Sequence, residues 1–199
     1  MQERSQRTET NQVERCPWWL CFTFDNFIRR SLQNPVKILS PYVKEGYVVL
    51  DVGPGMGYAT IPLARLVGRS GRVIALDIQQ HMLDAIYRRA HKAGLQDRIS
   101  LKLSKPDDIG VNIPVDVCLA FWMLHEVGNR KRFVNQITEV LKPGGKFFIV
   151  EPKLHVSYSN FTESLSFAQE SGLEIIARPN IFISSAAVLE KKVKILTEH

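Results

Sequence analysis

From residue 47 onward, apolar residues alternate between two rhythms. Five short runs, 47–52 (YVVLDV), 72–77 (RVIALD), 99–103 (ISLKL), 115–121 (VDVCLAF) and 145–151 (GKFFIVE), are β-branched or aromatic and apolar on both faces. That pattern predicts strands buried in a parallel sheet. Between the runs the spacing becomes helical. Residues 79–93 set Met82, Leu83, Ile86 and Ala90 on one stripe, and Gly94 supplies a C-terminal stop. Residues 130–141 do the same with Phe133, Ile137, Val140 and Leu141 before Pro143-Gly144-Gly145. A later helix is expected to open at Asn160, with Glu163 three residues on completing a capping box, and to end at Gly172. Two closing strands, 173–178 and 181–189, are separated by only Pro179 and Asn180. So short a connection joins only antiparallel neighbours.

Strand and helix in alternation, closed by an antiparallel hairpin, predict an α/β fold. The expected form is a doubly wound, mainly parallel sheet with helices on both faces and ligands at the carboxyl ends of the strands. Residues 1–15 read as a polar, disordered tail. Residues 16–45, opening CPWWLCFTF, are dense in aromatics and punctuated by Pro17, Pro35 and Pro41, and two short helices are expected there. Residues 46–199 form the ligand-binding domain, with no internal repeat and no second domain.

Composition narrows the class. A chain of 199 residues with 45% hydrophobic content matches one soluble domain with a sizeable core. No apolar stretch approaches the roughly 18–20 residues that span a bilayer. The opening MQERSQRTETNQVER lacks the apolar centre of a signal peptide, so no membrane partner and a cytoplasmic location are expected. Three cysteines, Cys16, Cys21 and Cys118, match no zinc spacing. Cys118 lies in an apolar run and reads as core, and no metal is expected. The net charge of +6 permits an anionic partner, RNA included. The basic residues are scattered over predicted polar helix faces, however, and nucleic acid is not the favoured partner. The pattern specifies no oligomeric state.

Chemistry concentrates after the first strand, in LDVGPGMGY, where Gly53, Gly55 and Gly57 alternate behind Asp51. A dinucleotide site needs G-x-G-x-x-G, and the position of its third glycine is occupied by Tyr58. The phosphate-loop pattern G-x-x-x-x-G-K-[ST] is absent, and a carboxylate beside the turn disfavours a pyrophosphate. Asp51 suits a ligand with positive charge near the glycines. Asp77, closing the second strand 26 positions later, can accept both hydroxyls of a ribose. It also suits a plainer role, as a cap for the helix that follows. A ligand with a ribose at one end and an ammonium group at the other is S-adenosylmethionine.

With LDVGPGMG, VIALDIQQHML, VDVCLAFWMLHEV and LKPGGKFFIVEP in this order, the chain resembles the class I S-adenosylmethionine-dependent methyltransferases from about residue 36 to its C-terminus. The resemblance implies a seven-stranded sheet whose antiparallel last strand inserts between strands five and six. It implies that Gly53, Gly55 and Gly57 let the backbone approach the methionine part, with Pro54 among them, while Asp51 orients it. Asp77 is implied to hold the ribose, Ile78 and Met82 to cover the adenine, and Phe121 to border the cofactor at the end of strand four. Where family members often place an acidic residue after strand three, this chain has Ser104-Lys105-Pro106, so Ser104 or Asp107 is the candidate for the base edge. Met82 also fits the core stripe of its helix.

The reaction the family performs is in-line transfer of a methyl group, in which the protein mainly aligns donor and acceptor. The motif set resembles small-molecule methyltransferases such as those of quinone biosynthesis, so a small-molecule acceptor is expected, and the N-P-P-[YF] signature of base-amine methylation is absent. After strand four, His125 is a candidate base and Glu126 could orient the imidazole or act itself; Glu151 after strand five is a further candidate. His125 also fits a structural role. Trp18, Trp19, Phe22, Phe24 and Phe27 could cover the site as a lid or complete the core at the sheet edge.

Overall fold

The computed structural model describes residues 33–106 and 108–193. Seven strands form one sheet: β1 (Val48–Val52), β2 (Arg72–Asp77), β3 (Ile99–Leu103), β4 (Val115–Phe121), β5 (Leu141–Pro152), β6 (Leu173–Ala177) and β7 (Ser184–Lys191). Their order is β3-β2-β1-β4-β5-β7-β6. The first five pair in parallel, whereas β7 runs antiparallel to both β5 and β6. The expected doubly wound sheet, with its antiparallel strand inserted beside β5, is therefore the observed one.

Helices cover both faces. They are α1 (Pro35–Leu39), α2 (Thr60–Leu66), α3 (Gln80–Ala93), α4 (Arg130–Val140) and α5 (Tyr158–Glu170). One apolar layer joins Leu50, Val52, Cys118, Ala120, Phe147 and Ile149 to Val134 and Ile137 of α4 and to Phe161 and Leu165 of α5. The other joins Val49, Val73, Leu119, Phe148 and Val188 to Leu39 of α1 and Leu63 of α2. Alternate residues of each central strand enter opposite layers, which is why those strands carry no polar face.

Element ends follow local chemistry. Asn34 caps α1 through hydrogen bonds from the Val36 and Lys37 N–H groups. Gly94 closes α3 in the left-handed conformation at φ 64°, as the stripe on 79–93 predicts. Three boundaries differ from expectation. Helix α5 opens at Tyr158, because Ser157 is the cap and its hydroxyl accepts from Asn160 N at 3.1 Å. Glu163 pairs with Arg130 of α4 at 2.5 Å rather than completing a capping box. Strand β5 begins at Leu141 and runs through Pro143-Gly144-Gly145 with a register shift against β4, where a Cβ on Gly145 would meet Lys142 O at 2.8 Å. The hairpin connection spans 178–183, since Ser184 N bonds to Ile181 O at 3.0 Å and delays β7 to Ser184. Of the segment 16–45, residues 16–32 lie outside the described residues, as do Trp18, Trp19, Phe22, Phe24, Phe27, Cys16 and Cys21. Cys118 is buried and free.

Candidate functional site

The strand order changes direction at β1, which lies between β2 and β4. The candidate residues gather at the carboxyl ends of β1, β2, β4 and β5, the edge where doubly wound sheets bind ligands.

Asp51 near the end of β1 is 1% exposed. The Thr60 hydroxyl at the start of α2 donates to its Oδ2 at 2.7 Å, while Oδ1 is buried with no hydrogen-bond partner among the described residues. Burial pushes this carboxyl up to about 7, against the hydrogen bond from Thr60, and the charge of Asp77 adds to the rise. A buried oxygen left unpaired is costly, so the site is built to receive a donor.

The turn that follows needs its glycines for two different reasons. Gly53 (φ 59°) donates its N–H to Leu76 O at 2.9 Å, and a Cβ there would land 2.8 Å from Met123 Cβ. Gly55 (φ 54°) has nothing within 4 Å of where its Cβ would stand. Pro54 is buried between them and accepts from Gly57 N at 3.0 Å. Gly57 approaches Ile86 of α3. Gly53 therefore carries a tight contact within the fold, and Gly55 borders open space. Tyr58, where a dinucleotide site would need a third glycine, is buried edge-on against Phe121 at 5.5 Å and donates its hydroxyl to Gln33 O.

Asp77 at the end of β2 is 7% exposed. Its Oδ1 accepts from Gln79 N at 2.9 Å. Burial raises this carboxyl to about 6, against the N–H groups of Gln79, Ile78 and Gly55 and the charge of His81. The capping contact raised as the plainer role is thus real, and the carboxylate lies beside the glycine turn as well. Ile78 is exposed, with its side chain available to a ligand, whereas Met82 is buried beneath α3. Ser104 follows β3 and is tied to the end of β2 by donating its N–H to Asp77 O at 2.9 Å. Asp107 lies outside the described residues.

After β4 the chain passes through Trp122, held at φ 59° with its indole N–H donating to Ser184 Oγ at 3.0 Å, into a short turn at Leu124–Glu126. Glu151, 2% exposed on β5, organises that turn. Its Oε1 accepts from Leu124 N at 3.0 Å, and its Oε2 lies 2.6 Å from His125 Nδ1. The residue that orients the imidazole is therefore Glu151, and not the adjacent Glu126. Burial lowers the basicity of His125, but the hydrogen bond and charge of Glu151 together with the charge of Glu126 outweigh it, and its pKa is raised. Burial also raises Glu126, against the charge of His125, with Asp77 and Glu151 adding to the rise. Among the described residues no three His, Cys, Asp or Glu side chains gather as metal ligands.

A family model described as a methyltransferase domain matches residues 43–190, which takes in every element from β1 to β6 and all of β7 except Lys191. The chain belongs to this methyltransferase family, of the class I S-adenosylmethionine-dependent type. As a methyltransferase domain it is 36% identical over 114 residues to the demethylmenaquinone methyltransferase of Lactobacillus johnsonii, covering 55% of this chain and 45% of that protein. It is 28% identical over 110 residues to the ubiquinone/menaquinone biosynthesis C-methyltransferase of Hydrogenovibrio crunogenus, covering 55% of this chain and 43% of that one. The matched stretch thus spans less than half the length of these curated relatives. In fold it is similar to a SAM-dependent methyltransferase from Aquifex aeolicus, with a TM-score of 0.77 at 23% identity over 88% of this chain and 99% of that one. The methyltransferase family's cofactor fits what is present: an unpartnered buried carboxylate oxygen at Asp51, and open space over Gly55 for a backbone approach.

Thr60, Glu151 as partner of His125, and the Gln33–Ser184–Trp122 contacts were not predicted as interactions. Only one had a local signal, a hydroxyl nine positions after Asp51 at a helix start. The others join residues 26 or more positions apart.

Proposed function

We propose that this protein is an S-adenosylmethionine-dependent methyltransferase that modifies a small molecule in the cytoplasm. The observation that carries this reading is the Asp51 carboxylate, buried, held on one side by Thr60 and unpaired on the other, at the foot of a glycine turn open over Gly55. The bound cofactor would supply an activated methyl group on a sulfonium. The chain's own residues would bind and align. Asp51 orients the ammonium end, and the backbone at Gly53, Pro54, Gly55 and Gly57 borders the methionine part. Asp77 accepts the ribose hydroxyls while keeping Gln79 N satisfied. Ile78 and Met82 cover the adenine, Met82 from within the core stripe of α3, while Ser104 meets the base edge and Phe121 borders the cofactor at the end of β4. The described residues from 46 to 193 hold this site.

A small-molecule acceptor is supported by the quinone-modifying relatives, and no helix among the described residues is long and apolar enough to cross a membrane. Titration calorimetry with S-adenosylhomocysteine tests the cofactor, with one molecule bound per chain as the expected result. Tight binding of NADH without S-adenosylhomocysteine overturns it. Labelled methyl transfer into a metabolite extract tests the acceptor, and strong, salt-dependent capture of RNA argues instead for a nucleic-acid substrate.

A further inference from the structure

We infer that His125 is the general base of this site, acting through Nε2, that Glu151 is its positioning residue, and that the acceptor therefore carries a phenol- or enol-type hydroxyl which loses its proton as it is methylated. The inference rests on the methyl-transfer reading above and extends it to the class of acceptor.

The tautomer follows from the donors around Glu151. Leu124 N–H can only donate, and it occupies Oε1 at 3.0 Å. The other oxygen lies 2.6 Å from His125 Nδ1. With the carboxylate ionised, Nδ1 must carry the hydrogen, which leaves the lone pair of the neutral ring on Nε2. Nε2 makes no hydrogen bond among the described residues, and the His125 side chain is 30% exposed. The turn that bears it rests against the glycine turn, because Met123 fills the space that a Cβ on Gly53 would need. Nε2 is thus a free acceptor beside the place where the cofactor's methionine end would lie.

Charge supports the same assignment. The groups acting on His125 are Glu151 from β5 and Glu126 from its own turn, and Asp77 at the end of β2 acts in turn on Glu126. These carboxyl groups hold a proton on the ring after transfer. The acceptor's O–H bond breaks and the proton passes to Nε2. The electron pair left on the acceptor forms the new bond to the methyl carbon, while the old carbon–sulfur pair stays on sulfur. One positive charge is lost at the sulfonium and one appears on the imidazolium, so the carboxyl groups face the same net charge before and after. A phenol, at a pKa of about 10, lies within reach of such a base, whereas an aliphatic alcohol does not. Deprotonating a phenol also activates its ring carbons, so methylation at oxygen or carbon begins with the same proton transfer.

Glu151→Gln is the decisive variant. Its amide oxygen must face Leu124 N–H, which turns its NH2 toward Nδ1. His125 can answer only by accepting there, and the hydrogen moves to Nε2. Nitrogen-15 NMR of histidine-labelled protein, with the His125 signals identified from their loss in His125→Gln, reads this without any acceptor. The expected result is an Nδ1–H tautomer in the wild type, an Nε2–H tautomer in Glu151→Gln, and a lower imidazole pKa in the variant. Glu151→Asp, which keeps the charge, retains the wild-type tautomer. An Nε2–H ring in the wild type, or an unchanged pKa in Glu151→Gln, overturns the inference.

The second arm measures methyl transfer from labelled cofactor to a panel of phenols and hydroquinones, with N,N-dimethylaniline as an aprotic control. Transfer to the protic members alone is expected, with kcat lowered about 100-fold or more in His125→Gln and S-adenosylhomocysteine affinity within twofold of wild type. Full activity of His125→Gln, equal transfer to dimethylaniline, or no transfer to any phenol overturns it. Loss of S-adenosylhomocysteine binding by the wild type would instead mark failure of the methyl-transfer reading.

Discussion

Thr60 donates its hydroxyl to Asp51 Oδ2 across 2.7 Å in the buried space between β1 and α2. That single hydrogen bond satisfies half of a carboxylate whose other oxygen has no partner among the described residues. A ligand cation at Oδ1 would complete it, and the half-built state of the free protein has consequences for stability as well as for binding.

Folding stability should fall as pH rises toward 7. Asp51 titrates at 3.8 in the unfolded chain and at about 7 when folded, so the folded state binds the extra proton between those values. The stabilisation is complete below 3.8 and is lost as pH rises through about 7. Asp77, raised to about 6, and His125, raised above 6.5, act in the same direction. Asp51→Asn removes the largest of these contributions, and urea denaturation from pH 5 to 8 should show a flatter dependence in this variant. Cofactor affinity should move oppositely in the wild type, rising through pH 7 as the carboxylate ionises, and in Asp51→Asn it should be weaker and lack this rise near pH 7. A variant with wild-type affinity would remove Asp51 from the site.

Gly53 and Gly55 should separate stability from binding. Both have positive φ, so alanine at either costs about 1–2 kcal/mol of backbone strain. Gly53→Ala adds a collision with Met123 at 2.8 Å, whereas Gly55→Ala meets nothing within 4 Å. Thermal denaturation should find Gly53→Ala the less stable of the two. Calorimetry should find that Gly55→Ala loses affinity for S-adenosylhomocysteine at least tenfold, because its methyl group enters the ligand's space. Equal stability loss with intact affinity in Gly55→Ala would mean that the turn does not carry the cofactor.

Most of this was written in periodicity, since a parallel strand must be apolar on both faces and an amphipathic helix must repeat every third or fourth residue. The five parallel strands and the stripe of Met82, Leu83, Ile86 and Ala90 are cases where local pattern and tertiary packing agree. Boundaries failed where two local signals competed. Ser157 and Asn160 can both cap a helix, and only the contact of Arg130 with Glu163 removes the glutamate from a capping box. The Pro143-Gly144-Gly145 turn reads as a stop between elements, yet pairing with β4 absorbs it into a bulged strand. At the site, Asp51, Asp77 and the glycines were legible because they cluster at strand ends. The partner of His125 was not, because Glu126 is its neighbour in sequence while Glu151 is its neighbour only across the β4–β5 pair.

Ser184 should matter out of proportion to its size. It accepts from the Trp122 indole at 3.0 Å and from the Gln33 side chain at 3.3 Å, so one hydroxyl on β7 ties the β4 turn to the chain entering α1. Gln33 also donates to Phe182 O and accepts from Tyr58 through its carbonyl. Ser184→Ala should lower stability by about 1–3 kcal/mol through loss of a buried acceptor. In a background where Trp18 and Trp19 are replaced by Phe, so that Trp122 is the one remaining indole, its fluorescence should report a looser β4 turn even where folding is intact. An unchanged denaturation midpoint and emission spectrum would show that the indole finds another acceptor.

Asp77→Asn provides the cleanest test of the ribose assignment. The asparagine oxygen can still accept from Gln79 N, which the carboxylate does at 2.9 Å, so the start of α3 stays anchored. What is lost is the second acceptor and the charge that would hold two hydroxyls at once. Affinity for S-adenosylhomocysteine should drop about tenfold to 150-fold, corresponding to roughly 1.5–3 kcal/mol for hydrogen bonds to a charged group. In the wild type the affinity should rise as pH passes about 6, where the folded carboxyl ionises, and in Asp77→Asn that rise should vanish. A 2′,3′-dideoxy analogue of S-adenosylhomocysteine should bind wild type and variant equally weakly, because the hydroxyls are gone from the ligand instead of the protein. If the analogue still distinguishes the two proteins, Asp77 acts through the α3 cap and not through the ribose.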